Sequence, residues 1–163
     1  MTGVIIRPLT AEDKAEWRRL WTGYLEFYES TVPEEVYETT FSRLLAGNAG
    51  TEHEYRGLIA EIDGNPVGLV HFLFHRHCWK IENVCYLQDL YADPQVRGQG
   101  IGRELLRQGL VAAATRWPAG TTVIAKVLTD NPRSLRLFEG AGFLSRGTRV
   151  DHGASHHHLE RSL

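Results

Sequence analysis

Three glycines at alternate positions, Gly98, Gly100 and Gly102, sit inside the stretch YADPQVRGQGIGREL from Tyr91 to Leu105. A strand-like run ends just before them and a helix-like run starts at once. Glycine lets backbone N–H groups point into one concavity with no Cβ in the way. The helix N-terminus adds a positive dipole end worth about 0.3–1 kcal/mol per exposed anionic contact, and about 2 kcal/mol when partly buried. Such a loop is suited to seat an oxyanion or a pyrophosphate. It is not a P-loop, because Arg103-Glu104 follows Gly102 where a Lys and a Ser or Thr are required. A dinucleotide fingerprint needs G-x-G-x-x-G near the start of a βαβ unit and an acidic residue ending the next strand. Here the spacing is G-x-G-x-G, four strands precede it, and the next strand ends in Val127-Leu128-Thr129. The remaining alternative is a helix-opening turn that holds nothing.

Other chemistry-bearing residues give weaker signals. His75 and His77 share a strand face near Cys78, but no third ligand lies at a recognised spacing, so no metal is expected. Cys85 lies in an apolar strand with no base at a telling distance. Trp79 either walls a pocket or caps the core.

The elements that position the glycine loop follow from periodicity. Val4 to Arg7, closed by Pro8, reads as a strand. After Thr10, a candidate cap, Trp17, Leu20, Trp21, Tyr24, Leu25 and Tyr28 recur at helical spacing in one apolar stripe. Pro33 restarts the chain into a second helix carrying Val36, Thr40, Phe41, Leu44 and Leu45, ended by Gly47, Asn48 and Gly50. Leu58, Ala60 and Ile62 alternate with polar neighbours, and Asp63-Gly64-Asn65-Pro66 turns the chain into Val67 to His75, a hairpin. A third run, Val84 to Tyr91, stops at Asp93-Pro94. After the loop, a helix carries Ile101, Leu105, Leu106, Leu110, Ala113 and Trp117. Thr122 to Leu128 is a buried strand by length and β-branching. Asn131-Pro132 opens a helix with Asn as N-cap and Pro at N1, and Gly142 ends it. Phe143 and the run around Leu159 give two closing strands. The order β-α-α-β-β-β-α-β-α-β-β predicts an α+β domain on a mixed sheet.

Composition agrees. The 163 residues, read as one domain over 1–163, are 42% hydrophobic and 23% charged with a net charge of -2, which is ordinary globular composition. A chain of this length hides roughly 70% of its unfolded surface, enough for a core with a cleft. The balanced charge excludes electrostatic capture of nucleic acid or of an anionic membrane. No apolar run approaches the ~20 residues needed to span a bilayer. The N-terminal MTGVIIRPLT carries no leader pattern, and the two cysteines form no repeated spacing, so a reducing, cytoplasmic compartment is expected.

Arg97-Gly98-Gln99-Gly100-Ile101-Gly102 resembles the R/Q-x-x-G-x-G/A acetyl-CoA motif of the GCN5-related N-acetyltransferases (GNAT). Thr129 through Ser134, with Leu137-Phe138 and Gly142-Phe143, resembles that family's second motif, N-x-x-[AS]-x-x-[LF]-Y-x-x-x-G-F. Both motifs and the element order together cover nearly the whole chain. LWTGYLEFYE (Leu20 to Glu29) and YLQDLYADP (Tyr86 to Pro94) look most like the branch of diamine (spermidine/spermine) and yeast-type histone, polyamine and D-amino-acid acetyltransferases.

The resemblance implies a mostly antiparallel sheet of six to seven strands flanked by about four helices, acetyl-CoA as acetyl donor, no metal, and direct transfer to a primary amine of a small molecule or a lysine-like group. It implies that the amides from Gly98 through Gln99, Gly100, Ile101 and Gly102 to Arg103, next to Arg97, hold the pyrophosphate. Leu90, Tyr91 and Ala92 would pair with the pantetheine arm, and Asn131, Ser134 and Phe138 would line the cofactor. Tyr28 and Glu29 match positions at the amine site, with Gln88 and Trp79 added to that group. A homodimer through the last strands is implied too.

Two departures matter. Gln88 stands where diamine acetyltransferases carry a Glu, and an amide neither takes a proton nor balances a polyammonium chain. An alkylamine with a pKa near ~10.4 is only about one part in two thousand neutral at pH 7, so a proton acceptor is needed. Asp89 is the neighbouring carboxylate, placed by strand alternation on the opposite face, either as base or as a buried structural group. Phe138 stands where family members commonly place a Tyr that protonates the thiolate, leaving Ser134 or Tyr91 as substitutes. These departures also leave room for a non-catalytic acetyl-CoA sensor, or for a protein lysine or Nα-acetyltransferase.

Overall fold

Hydrophobic period and turn chemistry translate into eleven elements in the predicted order. The computed structural model describes residues 3–116 and 121–163, and Trp117 of the third helical stripe lies outside them. The elements are β1 (Val4–Pro8), α1 (Lys14–Phe27), α2 (Glu34–Asn48), β2 (Tyr55–Ile62), β3 (Asn65–His75), β4 (Val84–Ala92), α3 (Ile101–Arg116), β5 (Thr122–Leu128), α4 (Pro132–Gly140), β6 (Leu144–Asp151) and β7 (Ala154–Ser162). Thr10 caps a short 3-10 turn, Ala11–Asp13, that leads into α1 rather than capping α1 itself. Phe143 precedes β6 and is buried beneath it as a core residue.

The strands form one seven-stranded sheet in the order β1-β2-β3-β4-β5-β7-β6. Every neighbouring pair is antiparallel except β4 and β5, which run parallel. Two apolar layers hold the helices to it. Trp17, Leu20 and Trp21 of α1 and Tyr37, Phe41 and Leu44 of α2 pack with Ile59 and Leu69 on one face. Ile101, Leu105 and Leu106 of α3 and Phe138 of α4 pack with Val70, Phe72, Leu87, Val123 and Val127 on the other. Burying one such Leu or Phe side chain contributes about 1.5–3 kcal/mol.

On the first face α1 rests on β3 and β4, and α2 on β2. On the β5–β7–β6 half of that face Lys126, His158 and Asp151 lie beside the half-buried Ile124 and Leu128. Among the described residues no helix is long and apolar enough to cross a membrane.

Candidate active site

The parallel pair at the sheet centre is short. Val84, Cys85 and Tyr86 of β4 pair with Thr122, Val123 and Ile124 of β5, yet β4 runs on to Ala92 and β5 to Leu128. Beyond Tyr86 and Ile124 the two strands part, leaving facing backbone edges without a ladder partner. Backbone N–H and C=O groups demand partners, so such a gap is a place for a ligand that brings its own amides.

A β-bulge sits where the strands part. His71 pairs with Asp89 and Phe72 with Leu87, so Gln88 is the extra residue of β4 and has no partner in β3. The bulge overturns the strict alternation expected for this strand. Leu87 and Leu90, three residues apart, both pack toward α3, while Asp89 is buried toward α1. The Gln88 carbonyl accepts a hydrogen bond from the Tyr24 hydroxyl at 3.2 Å.

A cavity of about 890 Å³ runs from the end of β4, at Leu90–Ala92, to the N-termini of α3 and α4. Leu90, Tyr91, Ala92, Arg97, Gly98, Gly100, Ile101, Gly102 and Arg103 line it, together with Asn131, which caps α4, Ser134 of α4 and Tyr28, which caps the end of α1. Gly98 and Gly100 have φ of 84° and 81°, in the left-handed region, and a Cβ at either would meet nothing within 4 Å. These two glycines therefore serve backbone conformation, not close packing. The Arg97 guanidinium donates through Nε to the Ala92 carbonyl at 3.1 Å and lies 5.5 Å from the Tyr91 ring centre, tying the loop to the end of β4. Arg103, Arg107, Arg133, Arg136 and Arg161 join Arg97 on the cavity wall, which carries no Asp or Glu. Arg107 is held by the Glu104 carboxylate behind it, and the other five guanidinium groups suit a ligand with several phosphates.

Asn131 does two things at once. Its side-chain oxygen accepts from the Ser134 N–H at 3.2 Å, capping α4, and both residues line the cavity. Phe138, expected at the cofactor, is elsewhere. Its ring is buried against Phe143, perpendicular with centroids 5.2 Å apart, and is not part of the cavity wall. Phe138 lies one turn beyond Ser134 on the same side of α4, where that side has passed the cavity and meets the α3-side core.

Asp89 is not on the cavity wall either. Its Oδ2 accepts from the Trp21 indole N–H at 3.1 Å and from His71 Nδ1 at 2.8 Å. The Trp17 indole donates to His71 Nε2 at 2.9 Å, and an indole is donor only, so the imidazole carries its proton on Nδ1 and donates it to Asp89. This Trp17–His71–Asp89–Trp21 chain is a satisfied buried network under the bulge, the structural role weighed above. Burial, with the Asp89 carboxylate beside it, raises the Tyr24 hydroxyl well above the ordinary tyrosine value. Burial raises Tyr28 as well, so both hydroxyls keep their protons and act as donors.

Tyr91 is held by α1: a Cβ at Gly23 would run into its hydroxyl and ring. Gln88, Gln99 and Glu29 are exposed and do not line the cavity; Glu29 follows α1 with φ of 53°. Trp79 is 87% exposed in the β3–β4 turn, at the other end of β4 from Ala92, and neither caps the core nor walls the cavity. Nearby, His77 Nδ1 accepts from the Trp79 N–H and His75 Nδ1 meets the Arg76 carbonyl. Burial pushes the Cys85 thiol up to about 12, which removes it as a nucleophile. Arg107, Arg133, Arg136 and Arg161 are the residues that sequence reasoning missed. Their signal was a guanidinium-rich run, Arg133 and Arg136, beside the recognised Asn131.

The sequence pattern of the Acetyltransferase (GNAT) family matches residues 16–143. The chain is 31% identical over 104 residues, 63% of either chain, to the D-amino-acid N-acetyltransferase HPA3 of Saccharomyces cerevisiae. It is 29% identical over 150 residues to the thialysine N-epsilon-acetyltransferase of Bos taurus, spanning 87% of this chain and 85% of that one. In fold it is similar to a chain of the NatC complex bound to Gag peptide and CoA, with TM-score 0.74 and 18% identity over 100% of this chain and 99% of the other. With both motifs at the cavity and the family pattern across most of its length, the chain belongs to the GNAT family of acetyltransferases.

Proposed function

We infer that the protein transfers an acetyl group from acetyl-CoA to a primary amine of a small molecule. The observation that carries this reading is the arginine-rich cavity wall with no acid on it, running from the end of β4 at Leu90–Ala92 along the glycine loop to the N-terminus of α4. The amides from Gly98 to Arg103 and the arginines would hold the phosphates. The free edge of β4 at Leu90, Tyr91 and Ala92 would pair with the amides of the pantetheine arm. Bound acetyl-CoA supplies the acetyl group as a thioester, open to direct attack by a neutral amine.

The protein's own part is orientation and proton handling. Tyr24 fixes the bulge carbonyl at Gln88, and the network under it holds Asp89 and so the strand. Ser134 carries the one hydroxyl of α4 and lines the cavity, so it is the residue of that helix able to give a proton where Phe138 has none. Pairing of two copies along β6, an edge strand that exposes Leu144 and Val150, belongs to the same reading. Sedimentation at a dimer mass would support that part, and a monomer mass would remove it.

Titration calorimetry with CoA, on the parent chain and on Gly100→Glu, is the direct test. The parent should give saturable heat and the variant none, because the new carboxylate would stand among the phosphates. Equal heats would contradict the site. Thiol release from acetyl-CoA across an amine panel then tests transfer. Stoichiometric binding with no release from any acceptor would indicate an acyl-CoA sensor, and release with peptides alone a protein acetyltransferase.

A further inference from the structure

The open half of the α1-side face carries a second charged cluster, apart from the phosphate-binding wall. The β4–β5 register ends at Tyr86 and Ile124, so two residues further on Gln88 and Lys126 stand on opposite lips of the gap. Val123, Ala125 and Val127 point into the α3 core, which sends Lys126 to the opposite face. There its ammonium is 5.9 Å from the Tyr86 ring centre and 3.4 Å from Asp151 Oδ2 on β6. His158, paired with Lys126 across β5 and β7, brings Nε2 to 3.4 Å from the same oxygen.

These contacts are loose. Asp151 Oδ2 and His158 Nε2 are both out of contact with solvent, and neither has a hydrogen-bond partner. Buried polar atoms in folded proteins are almost always well hydrogen-bonded, and here Asp151 and His158 are held to each other and to Lys126 only by long ion-pair contacts, so Lys126 gives up little on meeting a new anion. The local field has a sign. Burial, then the Arg149 and Lys126 cations, hold His158 below the ordinary histidine value, while Asp151 pulls the other way and is outweighed. Asp151 is the carboxylate ion-paired with Lys126 and His158, and the opposite lip carries the neutral amide of Gln88.

We propose that Lys126 is the specificity residue for the acceptor, binding a carboxylate next to the amine to be acetylated, so that the acceptor is an α-amino acid rather than a polyamine. The proposal rests on the acetyl-transfer reading above. A carboxylate arriving at Lys126 competes with Asp151 for the ammonium and offers His158 a charge-assisted partner. A second ammonium, as in a diamine, would meet Lys126 and Arg149 instead.

The test compares each of several amino acids, in both hands, with its own carboxamide, which has the same size and no carboxylate. The carboxamide's amine is less basic and more often neutral, so any preference for the acid runs against amine reactivity. The parent protein should favour the acid in kcat/KM by ~10- to 100-fold, the range of a hydrogen bond to a charged group. Lys126→Met should bring that ratio to about one, and Lys126→Arg should keep most of it. A parent ratio near one, or a ratio that survives Lys126→Met, overturns the proposal. Calorimetric titration of the amino acid into CoA-loaded protein makes the same comparison without turnover. Heat that disappears in Lys126→Met supports the site even if no thiol is released, whereas equal or absent heat in both proteins overturns it.

Discussion

Two aspartates on the same side of the sheet, Asp89 on β4 and Asp151 on β6, show opposite ways of keeping a carboxylate. Asp89 lies under α1 with two nitrogen donors on one oxygen, and its histidine is itself fixed by Trp17. Asp151 lies where no helix rests and meets Lys126 and His158 at 3.4 Å without a hydrogen bond to either. Under the helix the carboxylate oxygen receives two hydrogen bonds; beyond it the other carboxylate is held by ion-pair contacts alone. The contrast separates the part of the face that fixes the bulge from the part that can respond to an acceptor.

Removing His71 should break the rigid half most visibly. His71→Ala strips Asp89 of one donor and leaves the Trp17 indole without its acceptor, a loss of about 3–5 kcal/mol. The melting temperature should fall by roughly 10 °C, and a fall of no more than a degree or two would mean the network is not what holds the bulge. Trp21→Phe keeps a ring against Trp17, whose centroid is 5.3 Å away, and deletes only the second donor. Calorimetry should register a smaller loss of about 1–2 kcal/mol. On the other half, Asp151→Asn should leave the melting temperature where it was. By freeing Lys126 of its present counter-ion it should lower the KM for an amino-acid acceptor roughly two- to fivefold. A higher KM would instead make Asp151 itself the group that receives the ammonium.

Much of this was legible from the chain. The glycine loop announced itself because its chemistry is local: spacing, a strand before it and a helix after it. The Asn131 cap is local in the same way, with its partner Ser134 three residues on. Element order followed from periodicity along the whole length. The bulge at Gln88 was not legible, because a pairing slip between β3 and β4 depends on two strands meeting and leaves no composition mark on either. Phe138 matched a motif position, yet its neighbour Phe143 draws it into the core. Lys126 and Asp151 sit far apart in sequence and meet because β7 threads between β5 and β6. Likewise His71, with Asp89 18 residues away, reads as one more strand histidine until the sheet places it against two tryptophans.

The three-residue ladder between β4 and β5 has a mechanical consequence. It is the narrow seam in an otherwise continuous sheet, so the β1–β4 slab and the β5–β7–β6 slab are joined by few main-chain bonds and by the packing of α3. An occupant lying along the seam would act as a missing strand, knitting the two slabs together. Amide hydrogens of β5 and of residues 88–92 should then exchange far more slowly in the loaded protein than in the empty one.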